Sequence, residues 1–464
     1  MKMRNTAVAA CVFLFVNGAY AGVHSNFPKT NTDQIVLGVN GNQYLVSDTL
    51  NQPLPDRRSN NFGLDFSARE KAVGNTLDGA FDIDAQIGLT NSNYKYFNPN
   101  EFYFGSSAAL SPEYSVHMGR KVEEWNSLDE EWSLGLFQPR FRWDYLNERT
   151  SGLTGFFGAI KKENYSLTLF ASPIFLPEQG APQNFANGSC TSGSPWFYCP
   201  SNSITLFNQT TPVKMNLQIP PLRELIAYAG GGASFYLGKT EGLYWRNSVA
   251  YKPMNQLFLS YEGKFDLSTQ QLPAVIHPRV LYHTLYSTEF GYKENHDKYL
   301  LSVIKEDPHR DYTPPQWNTQ EASPATLFGA ILSLDLVGEG KSATHGEFSY
   351  LYRDGGNSND KGPFAATNGS LFEPLYSFKN AYSLQIKSPI KKEWAPYFQG
   401  AFHFIADANN QGNILMLDTI FQPLSRLNFG LGFDMLGSNS ASAVDFISRY
   451  QRNDRLRGGL HYYF

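Results

Sequence analysis

The chain has 464 residues, of which 15% are aromatic and only 17% charged, against roughly 25% charged in an ordinary soluble domain. Its formal net charge is −4 and it carries no Lys/Arg-rich run, which excludes the electrostatic footprint of a nucleic-acid binder. Beyond the N-terminal segment no apolar run approaches the roughly 18 to 20 residues that a membrane helix requires.

Residues 1–21 read as a secretory signal peptide. Lys2 and Arg4 supply the positive start, Ala7 to Val16 the apolar run, and Ala19-Tyr20-Ala21 the small-x-small cleavage site. Val8-Ala9-Ala10-Cys11 has the form of a lipoprotein cleavage box, but the apolar run before Cys11 is too short and continues to Val16. An exported, aromatic-rich chain without membrane helices has two main options. It is a large secreted β-protein or a membrane barrel whose aromatics fill two interfacial belts.

Residues 22–58 are polar and weakly patterned, with Pro53 and Pro55 near the end. They read as a periplasmic lead-in or short plug, followed by a barrel over 59–464. From Asn61 onward short alternating runs recur. Phe62, Leu64, Phe66 and Ala68 alternate with Gly63, Asp65, Ser67 and Arg69; Phe81, Ile83 and Ala85 alternate with Asp82, Asp84 and Gln86. Phe137, Phe141, Trp143 and Tyr145 alternate with Gln138, Arg140, Arg142 and Asp144, and Leu257, Leu259 and Tyr261 with Ser260, Glu262 and Lys264. The pattern returns at 328–336, 348–352, 378–386, 398–404 and 427–435. One face of each run is apolar and the other charged or small, as period two demands. A soluble sandwich would alternate too. The runs, however, are about nine to twelve residues, enough to cross a bilayer when tilted, where soluble strands average five or six.

Connections alternate in length over the second half. Segments 252–255, 338–341, 388–393 and 421–426 read as tight turns, and 306–324, 354–374 and 437–454 as long polar loops. Before residue 241 this rhythm breaks, and the side on which 177–226 lies stays open. Cys190 and Cys199 sit in that segment among Gly, Ser, Pro and Asn, where an oxidising compartment predicts a loop-closing disulfide. No His lies close enough to complete a metal site.

By parity, Asp82, Asp84, Asp144, Glu262 and Glu347 face inward with Arg140, Arg142, Arg246, Lys264 and Arg353. A wet lumen tolerates such charges, whereas Lys or Arg on the lipid face costs roughly 2–4 kcal/mol near the midplane. These residues are the candidates for a selectivity surface, with Arg140 and Arg142 opposite carboxylates. The near balance of signs does not suit a channel for an acidic polymer. His117, His283, His345, His403 and His461 also face inward, but none lies in a lipase, protease or acyltransferase motif, so the chain reads as non-enzymatic. No P-loop, dinucleotide fingerprint or EF-hand loop appears, and no cofactor is expected.

The final stretch carries the one specific motif. Leu456, Gly458, Leu460, Tyr462 and Phe464 share one strand face, and Arg457, Gly459, His461 and Tyr463 the other. This end, on Phe with Tyr two residues before it, resembles the closing strand of Gram-negative outer-membrane β-barrel proteins. The resemblance implies a cell outer-membrane location and contact with outer-membrane lipid and lipopolysaccharide. It also implies delivery by the barrel assembly machinery, which reads Leu460, Tyr462 and Phe464, and it allows a homo-oligomer. The predicted fold is all-β, a single transmembrane antiparallel up-and-down barrel of about eighteen strands, with sixteen as the alternative. Short periplasmic turns and long extracellular loops complete it. The expected function is porin-like passage of small solutes; the alternative is a barrel that anchors or helps export a surface polysaccharide or secretion assembly.

Overall fold

The computed structural model describes residues 34–464 apart from 46–60, 75, 91–94, 107–110, 182–183, 192–193, 198, 201, 207–208, 240, 310–312, 339–342, 364–371, 373, 390–397, 410, 425 and 440–444. The signal peptide expected over 1–21 and the turn residues 339–341 and 390–393 lie outside the described residues.

Alternating apolar and polar side chains give long strands, and 18 of them join in one sheet. In chain order they are β1 Gln34–Tyr44, β2 Asn61–Val73, β3 Leu77–Gly88, β4 Lys95–Ser106, β5 Tyr114–Lys121 and β6 Leu153–Lys161. Then come β7 Tyr165–Ser172, β8 Gly230–Gly238, β9 Gly242–Pro253, β10 Tyr282–Glu294, β11 Asp297–Pro308 and β12 Ala325–Val337. The last six are β13 Thr344–Gly355, β14 Asn380–Pro389, β15 Phe398–Asp407, β16 Gly412–Leu424, β17 Leu427–Ser438 and β18 Arg455–Tyr463. Each pairs antiparallel with the next, and β1 closes against β18, with Val36 opposite Tyr463 and Tyr44 opposite Arg455. Closure leaves no unpaired edge, the condition a sheet must meet to cross a bilayer.

The two faces separate as the alternation requires. On and just after β18, Leu456, Leu460, Tyr462 and Phe464 are exposed on the outside while Arg457 and His461 are buried inside. Around the wall Phe102, Leu301 and Leu431 are 62%, 65% and 67% exposed, an outward apolar surface that only lipid stabilises. β2, β6, β8 and β10 end where β18 finishes, the periplasmic end. β5, β7, β9 and β17 end at the other, where the long connections begin.

Three expectations are corrected. Residues 34–44 are not part of a lead-in but the first barrel strand; their Gly and Asn content blurs the alternation. Segment 252–255 is not a periplasmic turn, because β9 ends there on the long-loop side. That restores the rhythm through the first half and places 173–229 outside. The run 257–265 does not belong to the barrel. Phe258–Gly263 joins Leu272–Arg279, Gln209–Leu217, Ser203–Leu206, Trp317–Ala322 and Ser358–Lys361 in a six-stranded sheet at the extracellular end. Tyr261 packs there with Val213, Met215, Leu272, Ala274 and Ile276, and a half-buried strand on any apolar layer alternates like a lipid-facing one.

Candidate functional site: the barrel lumen

Segment 122–152 follows β5 and, instead of staying outside, folds into the lumen. Asn126 caps a one-turn helix, Ser127–Glu131, by accepting from the Leu128 and Asp129 amides, which satisfies donors that a buried helix end would otherwise leave bare. Ser127 seats the helix on the wall, its amide donating to Glu289 of β10 at 2.7 Å. Asn126 donates to Ser302 of β11 at 2.9 Å, and Ser248 of β9 to the Trp125 carbonyl at 2.7 Å. Arg246 of β9 pairs with Glu124 at 2.9 Å and Glu289 at 3.5 Å. Beyond the helix, Asp129 accepts from the Leu136 and Phe137 amides, each at 3.0 Å.

Apolar side chains lock this arrangement. Trp125, Leu128, Leu136 and Phe137 are buried against Leu285, Ile304, Leu327 and Leu351 of the wall, with Trp196, Phe378, Phe446 and Tyr450 from extracellular connections. Trp125 and Phe137 stack at 5.8 Å. The extracellular half of the lumen therefore holds a packed apolar core, several of whose side chains also border the cavity described below. Burying Trp125 alone contributes about 3–5 kcal/mol by the cost of truncating such a residue.

The remaining wall, β1–β5 with β16–β18, is polar. Arg455 pairs with Asp144 at 2.7 Å and with Asp434 at 2.6 Å, and Arg457 with Asp418 at 2.8 Å and Asp434 at 2.7 Å. Arg149 pairs with Asp84, and Arg69 with Asp82. Below the inward segment lies a cavity of 1380 Å³, bounded by Gln34 and Tyr463 toward the periplasm. Arg69, Lys121, Glu131, Lys298, Glu347 and Lys387 line it. Burial, and then repulsion by Glu347, raises the Glu131 carboxyl to about 8. Burial likewise raises Glu148 to about 7 against the pull of Arg142. At Glu124 burial is outweighed by Arg246, and its carboxyl falls below the usual range.

The candidate residues divide accordingly. Asp82, Asp84, Arg246 and Glu347 face the interior from barrel strands, and Arg353 is buried near the extracellular end, donating to the Phe378 carbonyl. Arg140, Arg142 and Asp144 are corrected: they belong to the inward segment, where Arg140–Arg142 forms a short strand paired with Arg149–Thr150 and Asp144 lies in no strand. Arg140 pairs with Glu130 at 3.3 Å, and Arg142 with Glu148 and Glu178 at 3.3 and 3.2 Å. Phe141 and Trp143, expected against lipid, are buried beside Tyr96. Glu262 and Lys264 are corrected too, being exposed in and beside the extracellular sheet. Cys190 and Cys199 form a disulfide with a Cα–Cα distance of 5.5 Å. Sequence reasoning placed Lys387 inward but missed Glu131 and Lys298, which no local motif marks.

No protein-family model and no curated protein matches the chain. Among solved structures, OccK10 (OpdN) of Pseudomonas aeruginosa is similar with a TM-score of 0.46 and 8% identity, covering 93% of this chain and 99% of that one. OccAB3 of Acinetobacter baumannii gives 0.44 and 11% over 93% and 99%. Wzi of Escherichia coli, an outer-membrane protein described as a carbohydrate-binding β-barrel involved in group 1 capsule assembly, gives 0.40 and 12% over 92% and 84%. On its own geometry, a closed sheet of 18 antiparallel strands with an apolar exterior and a charged interior, the protein has the build of a membrane-spanning β-barrel.

Proposed function

We propose that the barrel conducts small hydrophilic solutes across the outer membrane, with segment 122–152 as the element that governs passage. The observation that carries this reading is the 1380 Å³ cavity lined by both signs of charge and roofed by that segment. Mixed charges beside a hydrated space can hold and orient a polar solute. Passage then requires the roof to shift. Arg246, buried between Glu124 and Glu289, is the latch; breaking a buried pair from one side costs about 3–5 kcal/mol. Outer-membrane lipid and lipopolysaccharide around the wall, and the assembly machinery at the last strand, are the partners this reading carries.

The second reading is a sealed barrel that anchors or helps export a surface polysaccharide or secretion assembly. It is favoured by the apolar core packed into the extracellular half. Planar-bilayer recording separates the two. The channel reading expects brief openings from the native protein and at least tenfold more open time from Arg246→Ala. A silent membrane from both proteins, each confirmed as folded by heat-modifiable mobility, leaves the sealed barrel standing.

A further inference from the structure

Ser333 and Asp335 point inward from β12, two residues apart on one face, and His345 lies across the ladder on β13, its Cα paired with that of Asp335. Ser333 Oγ is 2.8 Å from His345 Nε2, and His345 Nδ1 is 3.1 Å from Asp335 Oδ1. The hydroxyl thus meets one ring nitrogen and the carboxylate orients the other, the relation a serine nucleophile and its base require. Lys298 and Glu347, the cross-strand neighbours of Ser333, both line the cavity, so the group lies one residue behind its lining. The barrel holds a built-in comparison. Ser383 Oγ is also 2.8 Å from His403 Nε2, but no carboxylate lies within hydrogen-bonding distance of that imidazole among the described residues.

We propose that Ser333, His345 and Asp335 form a luminal acyl-transfer site that hydrolyses short-chain esters of polar, hydroxyl-rich alcohols. The Ser333 Oγ–acyl carbon bond forms as the hydroxyl proton passes to His345 Nε2, while Asp335 holds Nδ1–H and steadies the imidazolium. The adduct collapses by breaking the ester C–O bond, and the alcohol leaves with the proton from Nε2. Water then attacks the acyl carbon, gives its proton to Nε2, and releases the acid as Ser333 regains its hydrogen. The ammonium of Lys298 is the donor for the oxyanion. The acyl group is short because Ile331, next above Ser333 on the same face, packs closely with Leu300 and Tyr244. The alcohol is polar because it lies among Lys298, Glu347 and Lys387. This site does not depend on conduction.

The test uses the full-length protein, folded in detergent, with a fluorophosphonate probe and p-nitrophenyl acetate. The proposal expects probe adduct on the peptide bearing Ser333, none on that bearing Ser383, and loss of adduct in Ser333→Ala. It expects ester turnover to fall by about 10²-fold or more in His345→Asn and Asp335→Asn, with heat-modifiable mobility unchanged. Absence of adduct at Ser333 in the folded native protein, or labelling that His345→Asn leaves untouched, overturns it and returns the three residues to a wall hydrogen-bond network.

Discussion

Glu131 ends the lumen helix facing Glu347, and its carboxyl is raised from 4.5 to about 8 by burial and by that neighbour. A carboxyl raised in the seated segment is favoured there in its neutral form. The seating it supports is fully present below about 4.5, weakens as pH rises toward about 8, and changes no further above it. Glu148, raised to about 7, adds a contribution of the same sign. Open time in bilayers is therefore expected to climb between about pH 5 and 8. Glu131→Gln should flatten most of that climb, leaving the Glu148 part, and an unchanged profile would refute the assignment. At this scale the sequence was partly readable. Asp82, Asp84, Arg246 and Glu347 face inward as the alternation along their strands requires. Ser333 and His345 were not readable as a pair, because only the register of β12 on β13 brings them together.

Among elements, the lumen helix sits directly on the backbone of β12. A Cβ built on Gly329 would collide with Leu128 Cδ1 and fall 2.9 Å from the Tyr350 carbonyl oxygen, so the helix fits only over a bare backbone. Gly329→Val is expected to destabilise the seated segment by about 1–3 kcal/mol through overpacking. Limited proteolysis should then cut within 122–152 faster, while the barrel keeps its heat-modifiable mobility. Equal cutting rates would mean that the helix is held elsewhere. The long strands were legible because alternation over a full bilayer span has few other causes. Segment 137–145 misled because Phe137, Phe141 and Trp143 bury themselves in the protein interior. Period two records which face is apolar but not what covers it. The Phe258–Gly263 strand misled for the same reason.

For the whole molecule, the outward apolar girdle and the seam between β1 and β18 decide how the chain reaches its membrane. Phe464 is 61% exposed beside Tyr462, with ring centroids 4.9 Å apart. If this end is the signal for assembly, Phe464→Ala should cut folded barrel in membranes several-fold. Stability after refolding in detergent should stay within about 1 kcal/mol, since a surface truncation seldom costs more. Equal losses in both settings would make the residue merely structural. The place of Arg455 beside this seam has a consequence for the order in which the barrel is made. Its guanidinium joins Asp434 on the preceding strand to Asp144, which the chain supplies far earlier, with Trp196 against its face. An intermediate stalled before its last strand holds both carboxylates in place with no counter-ion, and such a stall is costly. Insertion of the last strand thus completes the interior and zips the wall in one cooperative event, and half-built barrels are pushed onward rather than trapped.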